Sequence, residues 1–109
     1  MTAIEILEVN WAIAGLELPA DEILSDRFGR PLIYEEEYND GNGAYIALDY
    51  CNNWEDMGPL IAREGINLTF SAAGVTAHAN GHTCTADTPT MAAALCYLKI
   101  NNATSTQRA

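Results

Sequence analysis

The twelve residues Val75–Ala86, "VTAHANGHTCTA", constrain the fold more than any other stretch. Asn80-Gly81 suits a two-residue β-hairpin loop, whose central positions need positive φ. Such a loop sets the register: Ala79 opposite His82, His78 opposite Thr83, Ala77 opposite Cys84 and Thr76 opposite Thr85. Side chains alternate along a strand. One face therefore collects Val75, Ala77, Ala79, Cys84 and Ala86, with His82 at its end, and the other collects Thr76, His78, Thr83 and Thr85. Upstream, "INLTFS" alternates Ile66, Leu68 and Phe70 with Asn67, Thr69 and Ser71, and Ala72-Ala73-Gly74 turns the chain. The expectation is a three-stranded antiparallel meander over 66–86, apolar on one side and hydroxyl-rich on the other.

Three helices are expected to accompany it. "TAIE", Thr2–Glu5, is a capping box. Ile4, Leu7, Trp11 and Ala14 follow at helical spacing, with Trp11 as a core aromatic and Gly15 as the stop. "NWEDMGPLIAREG" starts at an Asn53 cap, with Asp56 placed to reach back. It ends at Gly65, followed by apolar Ile66 as in a Schellman motif. Gly58-Pro59 predicts a break: a capped turn over 54–57, a hinge at Gly58 and a restart at Pro59. The last helix starts at a Thr88 cap with Pro89 first. Its "MAAALCYL" core is apolar almost all round, and its alanines suit close packing on the apolar sheet face.

The middle, Glu17–Asp49, reads as a short helical turn over Ala20–Arg27 stopped by Gly29. Two strands, "PLIYEEEY" and "AYIALDY", then flank the turn formers "NDGNG" as a hairpin, with a long functional loop as the alternative. The fold class expected is α+β, a layered α/β/α sandwich whose small antiparallel sheet is packed by N-terminal, central and C-terminal helices. One domain over 1–101 and a frayed polar tail over 102–109 complete the reading.

Bulk properties narrow the function. At 49% hydrophobic residues, the chain buries a core without disulfide or metal staples. The net charge of −10 opposes direct binding to nucleic acid or to an anionic membrane. The start lacks the basic residues and cleavage site of a signal peptide, so a cytoplasmic protein with reduced Cys51, Cys84 and Cys96 is expected.

No catalytic motif emerges. G-x-S-x-G, Walker and G-x-G-x-x-G patterns do not occur, and no cysteine has a base at motif spacing. His78, His82 and Cys84 have the spacing H-x3-H-x-C, but the hairpin sends the two histidines to opposite faces and a fourth ligand is missing. "DGNG" lacks the ligand order of a calcium loop. Neither an enzyme nor a metal or cofactor is therefore expected.

Binding fits better. Asn52, Asn53 and Trp54 stand at a helix start whose free N–H groups suit an anion, with Arg63 further along. Thr76, His78, Thr83 and Thr85 form a second polar patch. The acids offer another possibility: Glu35-Glu36-Glu37 with Asp40 suits an acidic face for a basic protein partner, in the manner of a DNA mimic.

The run Asn52–Ile61, N-x-W-x-x-x-G-P-[IL]-I, together with the Gly65-Ile66 junction and the alanine-rich last helix, resembles the NinX-like small phage proteins, close in style to the phage ABA sandwich. The resemblance covers Tyr50–Asn101 best and the first helix loosely. It implies an α/β/α layered fold and a phage accessory protein in an infected bacterial cell. By extension it implies a non-catalytic inhibitor of host defence that sequesters a nucleotide-derived signal. On that view Trp54 stacks a base, Arg63 meets phosphate, and amides and hydroxyls read the remaining edges. Arg27, Arg30 and Arg63 would have to cluster to offset the acidity, or a homo-oligomer would have to supply further basic groups.

Overall fold

The computed structural model describes residues 2–38 and 40–108, with side chains described as far as Asn102. It is an α+β protein, with three α-helices and two three-stranded antiparallel sheets among the described residues. Contacts divide the chain into two compact units, Met1–Asp49 and Tyr50–Ala109.

The first unit opens with α1 (Ala3–Glu17), capped by the expected box between Thr2 and Glu5. Two features of α1 differ from the sequence reading. The helix runs past Gly15, and Leu18 leaves it with extended backbone, because the residue before a proline (here Pro19) avoids the α region. The buried positions are Asn10, Ile13 and Ala14, whereas Ile4 is 70% exposed. Asn10 falls on the inward stripe, and its polarity hides that stripe from an apolar count. Trp11 is half-buried, and its indole Nε1 donates to the Gly29 carbonyl at 2.7 Å.

Only Ala20–Glu22 of the expected helical turn forms, as a single 3-10 turn. The chain then extends as β1 (Leu24–Ser25) and pairs with β2 (Pro31–Glu35), which pairs in turn with β3 (Ala44–Ala47). Asp26 overrides helix propensity here. Its Oδ1 accepts the N–H groups of Phe28 and Arg30, both at 2.8 Å, and ties the loop into a hairpin. Gly29, at φ +81, supplies the left-handed step that this loop requires.

The second unit holds α2 (Trp54–Glu64), β4 (Asn67–Ser71), β5 (Gly74–Ala79), β6 (His82–Ala86) and α3 (Pro89–Arg108). Helix α2 is continuous, so the break expected at Gly58 does not form. Pro59 stands inside the helix and has no N–H to give the Glu55 carbonyl four residues back, and the helix carries on across that one missing bond. Asn53 caps the start by accepting from Glu55 N–H at 2.9 Å. At the other end Gly65 is left-handed, and the Ile66 N–H reaches the Ile61 carbonyl at 3.0 Å, a Schellman closure.

The meander has the expected register at every β5–β6 pair, from Ala79–His82 to Val75–Ala86. Val75, Ala77, Ala79 and Cys84 are buried, while His78, Thr83 and Thr85 are exposed. Helix α3 packs against β5 and β6, and α2 packs against α3. The fully buried Ala92, Ala93 and Ala94 permit the close approach of α3. Thr88 caps that helix as expected, its hydroxyl accepting from the Met91 N–H at 3.3 Å. The helix continues through the polar stretch expected to fray, as far as Arg108.

A Cβ at Gly65 would meet nothing within 4 Å, so alanine there is opposed only by the backbone angle of +65°. Gly65→Ala should therefore destabilise the protein by about 1 kcal/mol, seen as a lower urea midpoint with an unchanged slope.

Candidate ligand site

The structure separates the residues that sequence reasoning grouped as a site. Asn52, Asn53 and Trp54 do stand together at the start of α2, and Trp54 is 53% exposed. The Asn53 side-chain oxygen is engaged as the helix cap. Arg63 does not join them. Nine residues at about 100° each place it on the opposite side of α2, about 13 Å further along the axis. There it pairs with Glu64 at 3.6 Å.

Thr76, His78, Thr83 and Thr85 do come together. They occupy two cross-strand rows, Asn67–His78–Thr83 and Thr69–Thr76–Thr85. The hydroxyls of Thr76 and Thr85 lie 2.9 Å apart, and Thr83 Oγ1 lies 3.3 Å from His78 Nδ1. This face lies on the side of the sheet away from α3, whereas the start of α2 belongs to the helix that packs on α3. The elbow and the hydroxyl face are therefore two separate surfaces. His78 and His82 point to opposite faces, as the hairpin register requires. Among the described residues, no group of three or more His, Cys, Asp and Glu could hold a metal.

The cysteines are free and buried. Burial pushes the Cys96 thiol up, and neighbouring Cys84 adds to the shift. The Cys51 carbonyl accepts the Thr90 hydroxyl at 2.6 Å. On α3, Lys99 Nζ donates to the Thr83 carbonyl at 3.3 Å, which shields the open edge of β6.

A concave site lies instead in the first unit. A cavity of about 300 Å³ is floored by Ile6 and Leu7 of α1 and by Ala47 and Leu48 at the end of β3. Asn10 and Asp49 form its polar wall, with Asn10 Nδ2 donating to Asp49 Oδ1 at 3.0 Å. Phe28 and Arg30, from the β1–β2 loop, complete the lining. The Phe28 ring is 66% exposed. Two guanidinium groups stand against it, Arg27 at 5.0 Å and Arg30 at 5.6 Å from the ring centre. Both distances fall within cation–π range. Two of the chain's five cations thus meet on one aromatic ring.

Asp26 organises this loop a second time through its ion pair with the Arg30 Nε. Desolvation raises the Asp26 pKa, but hydrogen bonds from the Arg30 backbone and guanidinium and from the Phe28 N–H outweigh it and leave the carboxyl below its ordinary value. In chemical terms the site offers an apolar slot for a flat ring, an amide–carboxylate edge for polar groups, and guanidinium charge for an anion. The signal in the sequence was "DRFGR", Asp26–Arg30: an acid, two arginines, an aromatic and a glycine within five residues. Asn10 and Asp49 carried no signal as site residues.

Compared with known proteins, the chain matches no family model, no curated protein and no solved structure. No helix among the described residues is long and apolar enough to cross a membrane.

The depressed pKa gives a pH dependence with a definite sign. The stabilisation from Asp26 is present above its ordinary value of 3.8 and is lost as the pH falls through the lower folded-state value. Urea unfolding followed from pH 5 downward should show this loss below about pH 4. Asp26→Asn should reduce that part of the slope. An identical acid limb in the variant would show that the carboxylate does not hold the loop.

Proposed function

We propose that this chain is a non-catalytic binding protein that holds a small nucleotide-derived molecule in the cavity of its first unit. The base would lie against Ile6, Leu7 and Leu48, with its polar edge toward Asn10 and Asp49. The phosphate would meet Arg27 and Arg30. The observation that carries this reading is the pair of guanidinium groups against Phe28, of which Arg30 lines, with Phe28, a ligand-sized apolar cavity. A net charge of −10 disfavours a phosphate ligand in general, and Asp26 and Asp49 offset part of the arginine charge here. A phosphate would therefore rely on direct hydrogen bonds from Arg27 and from the terminal N–H groups of Arg30, whose Nε is taken by Asp26. The hydrogen bond between Asn10 and Asp49 supports recognition of polar edges rather than bond-breaking chemistry. The resemblance to small phage proteins adds a setting, in which holding a host signalling nucleotide removes it from circulation.

Titration calorimetry against mononucleotides, cyclic dinucleotides and the matching nucleosides tests this directly. A nucleotide should bind, and its nucleoside should bind at least tenfold more weakly, about 1.4 kcal/mol. Arg30→Gln and Phe28→Ala should each weaken the nucleotide by a similar factor. Trp54→Ala, in the second unit, should leave it unchanged. Equal binding of nucleotide and nucleoside, or no heat with any of them, would overturn the assignment.

A further inference from the structure

The β2–β3 hairpin carries three uncovered tyrosines: Tyr34 is 47%, Tyr38 53% and Tyr45 66% exposed. Tyr34 and Tyr45 are directly paired across the strands, with ring centres 5.1 Å apart and planes tilted by 56°. Tyr34 is held in place. Tyr34 donates its hydroxyl to the Asn42 carbonyl at 3.4 Å. Its ring occupies the space beside Gly43, where any Cβ would overlap the hydroxyl. Gly43 also takes a φ of +83° and closes the turn by donating its N–H to the Tyr38 carbonyl at 2.9 Å. Rigid aromatics lose little entropy on binding, and exposed ones of this kind are favoured anchors at protein interfaces.

Charge decides what kind of partner suits them. From Pro31 to Asp49 the sequence has five acids and no Lys or Arg. Glu36, Glu37 and Asp40, in the turn that joins the strands, are exposed. Carboxylates alone would attract any cation weakly, with no preference between lysine and arginine. Tyrosine faces add that preference, because a planar guanidinium stacks on a ring while also pairing with a carboxylate. The first unit already uses this chemistry internally, in Arg27 and Arg30 against Phe28.

We propose that the Tyr34–Tyr45 face of the hairpin is a docking surface for an arginine-bearing segment of a partner protein. Arginine side chains stack on the two tyrosines, and the turn carboxylates neutralise them. This surface is independent of the cavity between α1 and the β1–β2 loop.

Fluorescence anisotropy with labelled nona-arginine and nona-lysine peptides and the full chain, at about 0.15 M salt, separates stacking from bulk attraction. The arginine peptide should bind about fivefold more tightly or better. Tyr34→Leu with Tyr45→Leu should remove that preference while retaining the weaker lysine binding. Tyr34→Phe with Tyr45→Phe should keep it, since the ring faces remain. Gly43→Ala, which displaces Tyr34 without changing charge, should reduce it. Glu36→Gln with Glu37→Gln should weaken both peptides alike. Circular dichroism establishes that each variant is folded. Equal affinity for the two peptides in the unaltered protein, or a preference that survives in the folded leucine variant, would overturn the proposal.

Discussion

The second unit depends on two residues at the tip of one turn. Asn80 and Gly81 adopt φ of 49° and 80°, the left-handed pair that a two-residue hairpin loop requires. That turn sets Ala79 opposite His82, and every other β5–β6 pair follows. A slip of one residue would reverse the faces, sending Ala77, Ala79 and Cys84 to water and the threonines under α3. The alanines of α3 reinforce the same register, because a helix that presents small residues approaches closely only where the facing strands are also small. Turn chemistry, strand alternation and helix composition therefore select a single arrangement.

In the first unit a single carboxylate has the corresponding role. Asp26 accepts two backbone N–H groups and pairs with Arg30, converting a stretch of fair helix formers into a hairpin loop. The same contacts bring Arg30 against Phe28, with Arg27 beside it. Folding and site formation are thus one event here: the interaction that closes the loop also places the charges. A loop held by one side chain gives precise placement with few residues, and its integrity is tied to the ionisation of that side chain.

How much of this was legible in the sequence follows from what kind of signal each feature leaves. The meander, its register, the Thr2, Asn53 and Thr88 caps and the Gly65 ending were legible because each rests on a local rule of steric or hydrogen-bond chemistry. The continuity of α2 through Pro59 was not, since the one hydrogen bond that a proline removes can be outweighed by packing that the local sequence does not show. The inward stripe of α1 was obscured by Asn10, whose burial is intelligible only once Asp49 is seen beside it, 39 residues away. The candidate site fared worst. Trp54 and Arg63 looked like partners along the chain, but helical rotation places them on opposite sides of α2. The arginines that do converge were named for their charge, without any sequence rule to seat them on Phe28. Sites assembled from side chains of distant segments leave no period to read.

The remaining argument concerns charge. A chain at −10 is unevenly charged: in the first unit both arginines precede β2, where Asp26 and Asp49 offset part of their charge, and acids alone follow it. Arg27 and Arg30 precede β2, and Glu36 and Glu37 follow it. An extended strand rises about 3.3 Å per residue, so Arg30 and Glu36 are separated by about 20 Å. The screening length in physiological salt is about 8 Å. Across more than two such lengths, the acids of the turn do little to cancel the guanidinium field at the cavity, and the arginines do little to cancel the turn. The strand thus acts as a spacer between an end suited to an anion and an end suited to a cation. On the two proposed readings, the overall acidity leaves room for a phosphate at one end, and the arginines leave the pull on the proposed basic segment at the other nearly intact.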